Sequence, residues 1–88
     1  MENQEEKLTI YPLTNRPHTF FLSYKFNMSS ESYSEAHITY GKLAQEFVDE
    51  VNETGLKANL KTRYKWYSNY YITFRSKYDV VAFKLRWL

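Results

Sequence analysis

Residues 57–67 read Lys57-Ala58-Asn59-Leu60-Lys61-Thr62-Arg63-Tyr64-Lys65-Trp66-Tyr67. Successive side chains of a strand point to opposite faces. Extended, this stretch sends Ala58, Leu60, Thr62, Tyr64 and Trp66 one way and Lys57, Asn59, Lys61, Arg63 and Lys65 the other. A strand with one apolar and one basic face is half buried in a sheet. Ser68 and Asn69 then read as a short turn. Tyr70 to Arg75 alternates again, with Tyr70, Ile72 and Phe74 opposite Tyr71, Thr73 and Arg75. So short a separation predicts an antiparallel hairpin.

Downstream, Ser76 with Asp79 three residues on predicts a capping box and a final helix. Val80, Phe83 and Trp87 line one face of it, and Val81, Leu85 and Leu88 an adjacent one. Lys84 and Arg86 suit the negative end of its dipole. Upstream, Ala36, Tyr40, Leu43, Ala44, Phe47 and Val51 fall on one face of a 3.6-residue repeat. Ser32 with Glu35 predicts a capping box at its start, and Gly55 a left-handed stop just past its end. Gly41 inside the run costs about 1 kcal/mol relative to alanine. Tyr33 to Tyr40 also alternates as a strand would, which allows a start as late as Thr39.

Further upstream, His18 to Phe26 alternates, with Phe20, Leu22, Tyr24 and Phe26 opposite Thr19, Phe21, Ser23 and Lys25. Leu8 to Leu13 is a weaker strand that Pro12 confines to a sheet edge. Thr14-Asn15-Arg16-Pro17 reads as the turn between them. The element order is ββαββα. It predicts an α+β two-layer sandwich, with an antiparallel sheet of three to four strands and both helices on one face. The style is ferredoxin-like, lacking that fold's last strand unless the N-terminal segment supplies it. Residues 1–6 are expected to form a flexible N-terminus and residues 7–88 a single domain, since 88 residues cannot hold two cores.

Composition narrows the function. Hydrophobic residues make up 43% and aromatics 19%, too many for a disordered tail. The chain has no cysteine, which excludes a disulfide scaffold and a cysteine-ligated zinc site. No stretch approaches the ~18 apolar residues of a membrane span. A polar, acidic start without an apolar run argues against a secretory signal, so a cytoplasmic location is expected, without membrane partners. Asn27-Met28-Ser29 and Asn52-Glu53-Thr54 match the glycosylation triplet, which is common by chance. With two glycines, a phosphate-cradling glycine loop is absent, and no dense ligand cluster implies a metal or other cofactor. Imidazole can serve as both base and acid, so His18 and His37 make a histidine-dependent ribonuclease the enzymatic reading, though their spacing does not demand it. The chain is therefore expected not to be an enzyme.

Charge is the stronger clue. Net charge is +2, but residues 1–55 carry four basic and nine acidic side chains, whereas residues 56–88 carry eight basic and one acidic. The second part is thus +7 and the first −5. Such a cluster attracts anions, unless the two parts neutralise each other across the fold. Lys57, Lys61, Arg63 and Lys65 recur every two or four positions, and strand neighbours two apart are about 6.6–6.8 Å apart. That is the scale of successive phosphates along a nucleic-acid strand. If Tyr71 and Arg75 share the face, with Phe21 and Lys25 from the earlier strand, it combines rings for base stacking with cations for phosphate. Lysines on a strand also deter edge-to-edge aggregation, and tyrosine favours strands without any ligand. An exposed tyrosine- and arginine-rich patch also suits a protein partner. So do the carboxylates Glu46, Asp49, Glu50 and Glu53 of the long helix, which can mimic phosphates. Self-association into a homo-oligomer is compatible with either.

The closing segment, Tyr70-Tyr71-Ile72-Thr73-Phe74-Arg75-Ser76-Lys77-Tyr78-Asp79-Val80-Val81-Ala82-Phe83-Lys84-Leu85-Arg86-Trp87-Leu88, resembles the ends of many small accessory proteins of large tailed bacteriophages. Those often finish with a strand, an acidic-capped short helix and a Phe-Lys-Leu-x-Trp-like tail. The resemblance covers 19 of 88 residues. It implies a viral host-takeover or anti-defence factor acting in the host cytoplasm. Such factors block a nuclease, toxin, polymerase or defence complex as an inhibitor or antitoxin would. The resemblance assigns no functional residue. Two functions are therefore expected from the sequence: binding of RNA or single-stranded nucleic acid through a basic, aromatic sheet face, or inhibition of a host protein.

Overall fold

The computed structural model describes residues 8–25, 32–64 and 68–88. Its elements follow the expected order: β1 (Leu8–Leu13), β2 (Arg16–Tyr24), α1 (Tyr33–Glu53), β3 (Ala58–Tyr64), β4 (Ser68–Phe74) and α2 (Lys77–Trp87). The strands form one antiparallel sheet in the order β1-β2-β4-β3. The N-terminal strand thus supplies the fourth strand, at the edge beside β2.

Local chemistry accounts for the boundaries. The Ser32 hydroxyl accepts from the Glu35 N–H at 3.1 Å, and the Glu35 carboxylate accepts from the Ser32 N–H at 2.9 Å. This capping box starts α1 at Tyr33 rather than Thr39. Gly55, at φ 98°, takes the left-handed position after the helix that a Cβ would strain. Asn52 then ties the helix end to β3: its side chain accepts from the Ala58 N–H at 2.6 Å and donates to the Ala58 carbonyl at 3.1 Å.

Three local expectations change. Arg16 pairs with Leu13, so Thr14 and Asn15 alone span the β1–β2 hairpin and β2 begins at Arg16. Phe26 lies outside the described residues. Ser68 and Asn69 are not the turn of the second hairpin; they belong to β4, paired with Tyr64 and Arg63. Ladder pairing over the basic strand outweighs their turn preference, which is only local. At α2, Ser76 caps through the Tyr78 N–H at 3.1 Å, but Asp79 does not complete a box. Its carboxylate accepts instead from the Lys57 N–H at 3.2 Å and fastens the start of β3 to α2.

Both helices cover the same face of the sheet. Ala44, Val48 and Val51 of α1 and Val80 and Phe83 of α2 join one cluster with Phe20, Leu22, Ala58, Ile72 and Phe74. Full burial of such side chains contributes about 1.5–3 kcal/mol each before entropy is counted. Phe83 lies at its centre, with ring centroids 4.9 Å from Phe20, 5.0 Å from Phe74 and 5.4 Å from Trp87. At the other end, Tyr40 bridges two strands. Its hydroxyl donates to the Leu22 carbonyl and accepts from the Tyr70 N–H at 3.0 Å, at the last pair of the β2–β4 ladder. The next residue explains itself here. A Cβ on Gly41 would lie 2.9 Å from the Tyr70 hydroxyl oxygen, so a larger residue there would force the Tyr70 ring or the helix to shift. Among the described residues, no helix is long and apolar enough to cross a membrane.

Candidate nucleic-acid interface

The face away from the helices is set by parity. In β2, Phe20 and Leu22 are buried among the core residues, so Thr19, Phe21 and Ser23 point the other way. In β4, Ile72 and Phe74 are buried and Asn69, Tyr71 and Thr73 face outward. In β3, Ala58 is buried and Leu60 packs on the core, which sends Asn59, Lys61 and Arg63 outward. In β1, Ile10 packs on the core and Thr9 and Tyr11 face outward.

Register then assembles side chains that lie far apart in sequence. Tyr11 pairs with Phe21, Phe21 with Tyr71, and Tyr71 with Lys61. One transverse row therefore crosses all four strands as Tyr11, Phe21, Tyr71, Lys61. The rings touch in sequence, with centroids 6.4 Å apart for Tyr11–Phe21 and 5.3 Å for Phe21–Tyr71. Tyr11 is 51% exposed, and Phe21 and Tyr71 are half-buried. Polar rows flank this one. On one side, Thr19 pairs with Thr73 and Thr73 with Asn59, the two threonine hydroxyls 3.0 Å apart. On the other, Thr9 pairs with Ser23 and Arg63 with Asn69.

The expected site residues fall as follows. Lys61, Arg63, Tyr71 and Phe21 share the open face. Lys57 and Arg75 are exposed at one end of the β3–β4 pair, one residue beyond the Ala58–Phe74 pairing. Lys25 is exposed just past the opposite end of the sheet, after Tyr24. Lys65 lies outside the described residues. Tyr11 is the residue that sequence reasoning missed. Its signal was present: it alternates with Ile10 in a strand that a two-residue turn folds onto β2.

The α1 carboxylates Glu46, Asp49 and Glu50 belong to the helix layer, behind the sheet. Glu46 and Glu50 border a groove on the helix side, with Leu8, Ile10, Phe47 and Trp87. Asp49 accepts a hydrogen bond from Gln45 at 3.0 Å along the same helix. A sheet therefore separates the acidic helix from the cationic rows. The helix side also exposes an apolar stripe on α2: Tyr78 77%, Val81 55%, Leu85 83% and Leu88 55%.

The two histidines are not brought together. His18 lies six positions from Tyr24 in β2, about 20 Å at strand rise. His37 is one turn before Tyr40, whose ring stacks on Tyr24 at 5.6 Å. Comparison with protein-family models, curated proteins and solved structures finds no match to this chain.

Proposed function

We propose that the chain binds single-stranded nucleic acid on the open face of its sheet, as a binding module without chemistry of its own. The observation that carries this is the transverse row Tyr11, Phe21, Tyr71, Lys61, three touching rings that end in a cation. Rings on a sheet accept unpaired bases at about 1–3 kcal/mol each, and lysine and arginine at the rim hold phosphate. Paired bases in a duplex cannot present their flat faces to such a platform. Fluorescence anisotropy with labelled ten-nucleotide RNA and DNA, single-stranded and duplex, tests the reading. Micromolar binding to single strands that weakens steeply with salt is the expected result. Absence of binding at low salt ends it.

A protein partner is the second reading, and the exposed stripe Tyr78, Val81, Leu85 and Leu88 favours it. The spacing of three, four and three is that of a helix seam packed against another helix. In this reading the chain acts as an inhibitor of a host nuclease, toxin or defence complex, as the phage-like closing segment implies. A purified partner whose binding withstands nuclease and is lost in Leu85→Glu would support it. Binding unchanged in that variant would remove the stripe from consideration.

A further inference from the structure

We infer that the nucleic-acid strand runs along β3, with its phosphates over Lys57, Lys61 and Arg63 and a single base directed across β4 and β2 onto Tyr71 and Phe21. The inference rests on the reading of the open face as a single-strand site and adds the path, the footprint and the number of stacked bases.

The path follows from the asymmetry of that face. Its cations lie on the β3 side or at the strand ends: Lys61 and Arg63 in β3, Lys57 and Arg75 together at one end, Lys25 at the other. Among the described residues, β1 contributes only the uncharged Thr9 and Tyr11 to this face, and Arg16 stands at its hairpin end. A polyanion therefore finds its favourable potential along β3. The rings begin one strand inward, because Tyr71 is the register partner of Lys61. A backbone over β3 thus delivers its base directly onto Tyr71 and then Phe21. Among the described residues, a backbone over β1 would set phosphates on rings and hydroxyls, with a cation, Arg16, only at the hairpin end.

The footprint follows from strand geometry. Lys57 to Arg63 spans six positions, about 20 Å, or roughly three nucleotide steps at 6.6–6.8 Å each. The track therefore holds about four nucleotides. Among the described residues, only one row of this face carries rings. The neighbouring rows, Thr19–Thr73–Asn59 and Ser23 with Asn69, offer hydroxyls and amides, which suit base edges or sugar hydroxyls rather than base faces. One internal base is stacked and its neighbours are not.

A length series tests this with oligouridylate and oligothymidylate of two to ten nucleotides, read by competition anisotropy. A second series of tetranucleotides carries one abasic position at each place in turn. Affinity should rise steeply up to about four nucleotides and then only by the statistical factor of added registers. An abasic site at one internal position should weaken binding about 5- to 100-fold, and at the others less than threefold. In Tyr71→Ala the abasic and intact oligonucleotides should bind alike, while Tyr71→Phe, which keeps a ring and the strand, should preserve the difference. RNA and DNA arms separate the two sources of the same chemistry. Continuous growth of affinity with length, with every abasic position harmless, would overturn the single-base path while leaving nucleic-acid binding standing. No binding of any oligonucleotide at low salt would overturn both.

Discussion

Phe20 and Phe21 are neighbours in the chain and sit on opposite faces of one strand. Phe20 is 1% exposed and meets Phe74 and Phe83 beneath the helices. Phe21 is half-buried, between Tyr11 and Tyr71 on a face that neither helix covers. The same residue type thus has two different positions. On the helix side, ring contacts close a core and water is excluded from all sides. On the open side, the rings support one another laterally, and their outward surface stays available. Aromatic content alone cannot distinguish these situations; strand parity together with helix placement can.

Phe83→Ala or Phe20→Ala should cost about 3–5 kcal/mol in urea unfolding, because the vacated volume is enclosed by packed rings. Phe21→Ala should cost far less, about 0.5–1.5 kcal/mol for lost cross-strand ring contacts, while weakening oligonucleotide binding. If both substitutions destabilise equally, the open face is not open in solution.

Tyr40→Phe sharpens the account of the helix side. It removes the hydroxyl that bridges the Leu22 carbonyl and the Tyr70 N–H. Stability should fall by about 1–3 kcal/mol, the cost of buried polar groups left unpaired. The neighbouring Gly41→Ala should be net destabilising by roughly 1 kcal/mol, although alanine is the better helix former by about that amount. The reason is the approach of Tyr70, and the penalty should shrink in a Tyr70→Leu background. An additive double-mutant cycle would refute the steric explanation.

On the open face, Lys61→Ala should move stability by no more than about 0.5 kcal/mol. It should instead lower the slope of log affinity against log salt by about 0.7, one phosphate contact to a single strand. The smallest effect concerns the start of α1. The Ser32 backbone N–H, and after it the Ser32 hydroxyl, hold the Glu35 carboxyl below its ordinary 4.5. A carboxyl depressed in the folded state contributes stability above its unfolded pKa, and that contribution disappears as pH falls through the folded value. The thermal midpoint of the parent should therefore drop slightly toward that of Glu35→Gln on acidification below about 4.5. Parallel pH profiles of the two proteins would contradict it.

Much of this arrangement was legible residue by residue. Ser32, Glu35 and Gly55 marked the limits of α1, and alternation alone put Lys61 with Arg63 and Phe21 opposite Phe20, because capping and pleat depend on near neighbours. Other features were not legible. Ser68 and Asn69 look like a turn until a partner strand claims them, and Asp79 looks like a cap until the Lys57 amide comes within reach. Gly41 counts as a local cost until Tyr70, twenty-nine positions later, shows that a Cβ there would press on its hydroxyl.

Which side chains share a face within each strand, and where α2 begins, follow from neighbouring residues alone, whereas the start of α1 stayed open between Tyr33 and Thr39. That Tyr11, Phe21, Tyr71 and Lys61 stand in one row, and that the acidic helix lies behind the sheet, emerges once the strands pair and the helices pack. Register between distant strands is set by how the buried faces interlock under the helices. That is a property of the whole core, which no local window of residues contains.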